Sequence, residues 1–170
     1  MREGGECVVI KIVSGGQTGV DRAALDVALE NDIACGGWCP RGRLAEDGPI
    51  DPKYPVIETA STSPTERTEA NVRDSDGTLL LTWGKLSGGT LKTAAIANRL
   101  RKTALVIDLK ENPKVELAEG WATKFQIRVL NVAGPRASEA PEVYAAAKRF
   151  LTALLVGDGT TADPPDVSGT

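Results

Sequence analysis

The chain has 170 residues, of which 41% are hydrophobic and 25% charged, as in an ordinary single globular domain. Its 20 basic and 23 acidic residues give a net charge of −3, which argues against a generic binder of nucleic acid polymers. The absence of histidine excludes Ser-His-Asp and Cys-His nucleophile systems and zinc sites ligated by histidine. No apolar run approaches the ~20 residues of a membrane span and no signal-peptide pattern opens the sequence, so we expect a cytoplasmic protein without membrane contact.

No repeat or linker divides the sequence, so residues 1–156 are predicted to form one ligand-binding domain. The segment 157–170 is polar and contains Pro and Gly, and we predict a disordered tail there because it buries too little apolar surface to fold. The 3 cysteines do not predict a disulfide framework in a reducing compartment. Cys35 and Cys39 are expected to be small buried residues rather than zinc ligands, since Cys7 alone cannot complete a tetrahedral site; no metal site is predicted.

Strand and helix patterns alternate along the chain. The β-branched run 8–13 predicts a strand buried on both faces, a helix is predicted at 21–31, and a short strand at 33–36. Residues 39–64 hold five prolines and predict a long ordered loop with a short strand near Val56. Further strands are predicted at 78–83, 104–108 and 127–132, and further helices at 64–73 (with Ser63 as N-cap), 90–102, 113–125 and 139–155. This alternation predicts a Rossmann-like three-layer α/β sandwich with a mainly parallel sheet of about five strands.

Three predicted strands run into small-residue loops before the next helix: a first loop (14–21), a second loop (87–90) and a third loop (133–138). A helix N-terminus has unpaired N–H groups and partial positive charge, and glycine lets a ligand approach the backbone closely, so each loop is a candidate phosphate-binding loop. Parallel strands place all three at one sheet edge, where they can converge on one ligand. The predicted phosphate-binding residues are Gly15, Gly16, Thr18, Gly19, Ser87, Gly88, Gly89, Thr90, Lys92 and Arg136.

Four other residues are candidates at this edge. Arg41 has the bidentate geometry that suits phosphate, and the alternative is a solvated loop arginine. Asp21 is interpreted as a helix cap, and its alternative role is a contact to ligand hydroxyl groups. Trp38 and Trp83 follow strands and are candidates to stack on a flat ring, while core packing remains open for at least one of them.

Several blocks of the sequence resemble, in order, the motifs of the molybdenum cofactor carrier-like family. They are 14–26 (SGGQTGVDRAALD), 39–48 (CPRGRLAEDG), 67–78 (RTEANVRDSDGT), 88–90 (GGT) and 134–141 (GPRASEAP), within a similarity over roughly 8–155. That family is similar to nucleotide-sensing proteins and to lysine-decarboxylase-like phosphoribohydrolases. The resemblance implies a phosphorylated ligand with a flat heterocycle, either a nucleotide or molybdopterin with the molybdenum cofactor as cargo. It also implies a homo-oligomer, a dimer or a tetramer.

The enzymatic relatives carry a G-G-x-G-T-x-x-E motif whose glutamate supports cleavage of the glycosidic bond. Aligning the threonines places Thr93 where that glutamate would stand, so this chain lacks the usual agent of proton transfer. Glu46 and Glu69 are the carboxylates that could replace it. We therefore expect a binding or carrier protein; the alternatives are a hydrolase acting on the N-glycosidic bond of a nucleotide and a nucleotide sensor.

Overall fold

Strands and helices alternate along residues 8–157, which are the part of the chain that the computed structural model describes. The predicted tail, 157–170, lies outside the described residues apart from Gly157. The strands are β1 (Lys11–Val13), β2 (Ala34–Gly36), β3 (Trp38–Cys39), β4 (Leu44–Ala45), β5 (Gly48–Pro49), β6 (Ile57–Glu58), β7 (Gly77–Thr82), β8 (Thr103–Asp108) and β9 (Val129–Ala133). The helices are α1 (Val20–Glu30), α2 (Pro64–Arg73), α3 (Gly88–Arg99), α4 (Glu116–Lys124) and α5 (Val143–Leu155), and a 3-10 turn covers Leu109–Glu111.

The central sheet has five strands in the order β2-β1-β9-β7-β8, and every pairing in it is parallel. All residues of β7 are buried because helices cover both faces of the sheet. Leu79 and Leu81 belong to the large core that also contains residues of α1, α4 and α5, whereas α2 and α3 share a separate small cluster around Val72 and Ile96. The predicted three-layer, Rossmann-like α/β fold is confirmed.

The order of the strands has a simple relation to the doubly wound fold. When counting begins at β9 and continues through β1, β2, β7 and β8, the sheet order reads 3-2-1-4-5, which is that of a Rossmann sheet. Relative to a Rossmann sheet the strand order is therefore permuted. The last strand in the sequence, β9, takes the central place that the first strand of a Rossmann sheet occupies. The order reverses between β9 and β7, and ligands of such sheets bind in the crevice beyond the carboxyl ends of the strands at this point.

Several predicted boundaries move by a few residues. The predicted N-cap of α2 is confirmed, since Ser63 Oγ accepts a hydrogen bond from the Thr65 N–H at 3.3 Å. The last helix begins at Val143 rather than at 139, because residues 136–140 form a tight turn in which Ala140 N–H bonds to Arg136 O. Within the described residues no helix combines the length and the apolar character that a membrane crossing requires.

The long loop between β2 and α2 is organised by one arginine. The guanidinium of Arg43 donates to four backbone carbonyls, those of Ile50, Asp51, Tyr54 and Val56, at 2.9–3.0 Å. The loop also forms two small strand pairs, parallel β3–β6 and antiparallel β4–β5. This loop is ordered as predicted, and Arg43 is one of its structural centres.

Candidate functional site

A cavity of about 740 Å³ lies at the carboxyl edge of the sheet, and all three glycine-rich loops contribute to its wall. The first loop supplies Gly15, Gln17 and Asp21, the second Gly89 and Thr90, and the third Ala133, Gly134 and Arg136. The remaining wall consists of Pro64, Thr65, Arg67, Thr68, Glu69 and Asn71 of α2, Lys92, Thr93, Ala95, Ile96 and Arg99 of α3, Asn131 and Val132 of β9, and Glu139. The cavity thus extends from the switch point of the sheet into the groove between α2 and α3.

The N-terminus of α3 opens into this cavity without a cap. The Ser87 side chain makes no capping bond, and the first backbone bond of the helix runs from Leu91 N–H to Ser87 O at 3.1 Å. Within residues 8–157, the N–H groups of Gly88, Gly89 and Thr90 therefore have no hydrogen-bond acceptor. A Cβ atom on Gly89 would meet nothing within 4 Å, so this turn is open to an incoming group.

The glycines of the first loop leave space that other residues of the chain occupy. A Cβ on Gly15 would lie 2.3 Å from Arg67 Nη1, and one on Gly16 would lie 2.9 Å from Ile50 Cδ1. Gly19 has a φ of +79°, and its Cβ would lie 2.3 Å from Pro135 O. These positions are glycine because a side chain and a second loop pass close to the backbone there.

Most N–H groups of the first and third loops are already bonded. In the first loop those of Gly16, Gln17 and Thr18 donate to Ser14 Oγ, Asp21 Oδ2 and Gln17 Oε1. In the third loop those of Arg136, Ala137 and Ser138 donate to Glu139 Oε2, Thr18 Oγ1 and Glu46 Oε1. The second loop differs because it keeps three consecutive N–H groups free within the described residues.

Glu46 joins the first loop to the third. Its carboxylate accepts hydrogen bonds from the Thr18 hydroxyl and from both the N–H (3.1 Å) and the hydroxyl (2.6 Å) of Ser138. These bonds hold the pKa of Glu46 below its ordinary value. Thr18 and Glu46 lie outside the cavity wall, so the predicted phosphate contact of Thr18 is replaced by a bond to a carboxylate of the chain.

Asp21 and Arg67 form a buried pair in the wall. Gly19 occupies the cap position of α1, so the interpretation of Asp21 as the helix cap is wrong. Asp21 Oδ2 instead accepts from the Gln17 N–H at 3.3 Å and lies 3.8 Å from Arg67 Nη1. Burial raises the pKa of Asp21 to about 6, although the charge of Arg67 acts in the opposite direction.

Three further cations line the cavity. Arg99 pairs with Glu69 across the groove between α2 and α3, and Arg136 lies 3.5 Å from Glu139. Within the described part of the chain, Lys92 has no carboxylate at salt-bridge distance. Lys92 lies in the first turns of α3, where a cation is disfavoured by the helix dipole unless an anion is near.

The predicted aromatic and loop-arginine candidates lie elsewhere. Trp38 donates from Nε1 to Asp74 Oδ2 at 2.8 Å, and Trp83 packs against the main core. Neither tryptophan is part of the cavity wall, nor is the exposed Arg41. Gly16, Gly19, Ser87 and Gly88 also fall outside the wall, and the last two directly precede Gly89.

Sequence reasoning did not assign a ligand role to several wall residues, above all Arg67, Arg99 and Asn131. Asn131 carried a usable signal, because a polar residue within a buried strand needs a partner. It is 2% exposed, and its Nδ2 donates to Thr78 Oγ1 at 3.2 Å. Its Oδ1 has no donor among the described residues, and the side chain borders the cavity. Arg67 and Arg99 gave no such signal, since their place in the wall depends on how α2 packs beside α3.

Comparisons with known proteins agree with this architecture. Residues 12–155 match the model of a family described as the circularly permutated YpsA SLOG family. A solved structure from Syntrophus aciditrophicus SB, of a protein named a putative molybdenum carrier protein, is 44% identical with a TM-score of 0.85. The match covers 88% of this chain and 97% of that chain. No curated protein matches this chain.

The permuted strand order of the sheet agrees with the circular permutation that the family description names. The family match extends over most of the chain, and the family resemblance of its motifs is confirmed. The chain belongs to the circularly permutated YpsA SLOG family.

Proposed function

We propose that this chain is a binding or carrier protein for a phosphorylated heterocycle, with the molybdenum cofactor or a nucleotide as its ligand. The observation that carries the proposal is the uncapped N-terminus of α3, where Gly89 and Thr90, whose N–H groups are free within the described residues, line a cavity of about 740 Å³. A cavity of this size accommodates a cofactor-sized molecule. The name of the similar Syntrophus aciditrophicus protein supports a carrier role and favours a molybdenum-related ligand.

The phosphate of the ligand binds at the second loop. Free N–H groups and the dipole of α3 both favour an anion there, and Gly89 leaves room for close approach. Lys92 supplies a cation that no carboxylate of the described chain neutralises. Arg136, from the third loop, borders the same space.

Glycosidic cleavage of a nucleotide is a second candidate, favoured by one observation. Asp21 is a buried carboxyl group on the cavity wall, and its pKa of about 6 is suitable for proton transfer near neutral pH. Glu46 is outside the wall and Glu69 is paired with Arg99, so Asp21 replaces them as the acid in this candidate. Release of free base from a panel of nucleotides, abolished by Asp21→Asn, would favour the enzyme over the carrier.

Native mass spectrometry of the protein purified from its own cells tests the carrier proposal directly. We expect a retained phosphorylated heterocycle, and the same spectra report whether the protein is the dimer or tetramer that its family resemblance implies. Gly89→Val should abolish retention while leaving the fold intact, because a Cβ atom at this position has open space around it. Gly120→Val is the matched control: Gly120 is also a helical glycine with open space, and it lies outside this cavity. A protein that retains no such ligand and binds none when supplied would contradict the proposal.

A further inference from the structure

The cavity ends, away from the free N–H groups of α3, at an ion pair that bridges two helices. Glu69 of α2 and Arg99 of α3 pair across the groove, and both side chains border the cavity. Their side chains are 44% and 59% exposed, so the pair is accessible to a ligand. An exposed ion pair contributes little to stability, so Glu69 and Arg99 can give up their mutual contact for contacts with a ligand at little cost.

The spacing along α3 fits one molecule that touches both ends. Gly89 and Arg99 are ten positions apart, which is about 15 Å along a helix. Long helical side chains lean back toward the helix N-terminus, which shortens the span between the N–H groups and the Glu69–Arg99 pair. A phosphate at Gly89 thus places the attached heterocycle in the groove toward the pair.

The wall between the two ends suits a flat ring. Lys92, Ile96 and Arg99 follow one another at helical spacing on α3, with Ala95 beside them. Ile96 is largely buried and belongs to the small core shared by α2 and α3, so it gives the groove a fixed apolar floor. A flat ring in the groove between the two helices would pack against Ala95 and Ile96.

We infer that Glu69 and Arg99 recognise the edge of a 2-amino-4-oxopyrimidine, the ring portion that guanine and pterins share. This inference rests on the proposed function and names the class of heterocycle. The ring N–H and the exocyclic amino group donate in parallel to the two oxygens of Glu69, and the adjacent ring carbonyl accepts from Arg99. Both contacts are charge-assisted, which makes them the strongest available hydrogen bonds to a neutral ring.

The same arrangement discriminates against adenine. Adenine presents an amino donor beside a ring nitrogen that is an acceptor, so one oxygen of Glu69 would face a lone pair. Leaving a carboxylate against an acceptor costs binding free energy, and sites built around such hydrogen bonds reject analogues that lack them. Hypoxanthine keeps the ring N–H and the carbonyl but lacks the amino group, so it should bind with intermediate affinity.

Isothermal titration calorimetry of the full chain with GMP, IMP, AMP and neopterin monophosphate tests this inference. We expect GMP and neopterin monophosphate each to bind at least 10-fold more tightly than AMP, with IMP between. The preference between the first two identifies whether the natural ring is guanine or a pterin. Glu69→Gln should remove the discrimination against AMP, whereas Glu66→Gln, an exposed residue of the same helix outside the cavity, should leave it unchanged.

Equal affinities for GMP, neopterin monophosphate and AMP, or a preference that survives Glu69→Gln, would overturn the inference and leave the proposed function standing. Titration with inorganic pyrophosphate separates the two ends of the cavity, because Glu69→Gln should change its affinity less than 2-fold. A chain that binds none of the phosphorylated heterocycles would overturn the proposed function and this inference with it.

Discussion

Arg67 Nη1 lies 3.2 Å from the Gly15 carbonyl oxygen and would lie 2.3 Å from a Cβ atom on Gly15. The lack of a side chain at position 15 is therefore what allows an arginine of α2 to reach the first glycine-rich loop and to approach Asp21. A loop that resembles a phosphate-binding loop in sequence holds a guanidinium of the protein in the structure. The run of three consecutive free N–H groups is instead at the second loop, and this difference determines which glycine substitutions should affect stability and which should affect binding.

Gly19→Ala should destabilise the protein by about 2–4 kcal/mol. Its φ of +79° disfavours any side chain, and the new Cβ would lie 2.3 Å from the Pro135 carbonyl, which is backbone and cannot turn away. Gly89→Ala is the control, since it has open space and should raise helix stability by up to about 1 kcal/mol. Urea denaturation followed by circular dichroism measures the stability of both variants. Similar midpoints would contradict the conclusion that Gly19 is required by the fold and Gly89 is not.

Asp21→Asn should change how stability depends on pH. The pKa of Asp21 is raised by burial from 3.8 to about 6, so the folded state holds its proton over a wider pH range than the unfolded chain. The stabilising contribution of this group is full below pH ~4 and is lost as the pH rises through about 6. The unfolding free energy of the wild type, relative to Asp21→Asn, should therefore fall by at most about 3 kcal/mol across that window. Denaturation series from pH 4 to 7.5 measure this difference, and parallel profiles would refute the raised pKa.

Glu46→Gln should weaken the junction between the first and third loops by about 1 kcal/mol at pH 7. Its carboxylate accepts from Thr18 and Ser138, and those bonds lower its pKa. Because the pKa of Glu46 is lowered in the folded state, its carboxylate stabilises the protein at pH values above the ordinary pKa. This stabilisation is lost as the pH falls through the pKa of the folded state. The Tm difference between wild type and variant should thus shrink in acid. Glu111→Gln, an exposed residue away from these loops, serves as the comparison in differential scanning calorimetry.

Lys92→Met should lower the affinity for inorganic pyrophosphate by about 3- to 10-fold with little effect on stability. Lys92 is exposed, borders the cavity and has no carboxylate partner among the described residues, so its charge is available to an anion. Lys85→Met removes the same charge between β7 and α3, outside the cavity wall. Calorimetric titrations at low and high salt compare the two variants, and equal losses would show that Lys92 acts only through the general charge of the surface.

Much of the fold follows from local patterns. The β-branched and apolar runs predicted all five strands of the central sheet, and the helical spacing predicted all five helices of the described chain, with boundaries displaced by a few residues. The ends moved where local bonds compete: the turn at 136–140 delays α5, and Gly88 begins α3 two residues before the predicted start. The order of the strands could not be predicted from the sequence, because nothing in the local pattern places the last strand, β9, between β1 and β7.

The sequence by itself determined that three glycine-rich loops meet at one sheet edge, because parallel strands linked by helices all end on the same side. Only the tertiary structure decided which of them keeps its N–H groups free and which are bonded to Glu46, Thr18 and Asp21. The same holds for the cavity wall, since Arg67 and Arg99 reach it through the packing of α2 beside α3. A glycine permits close approach by any group, and its identity cannot tell whether that group is a ligand or a distant side chain of the same chain.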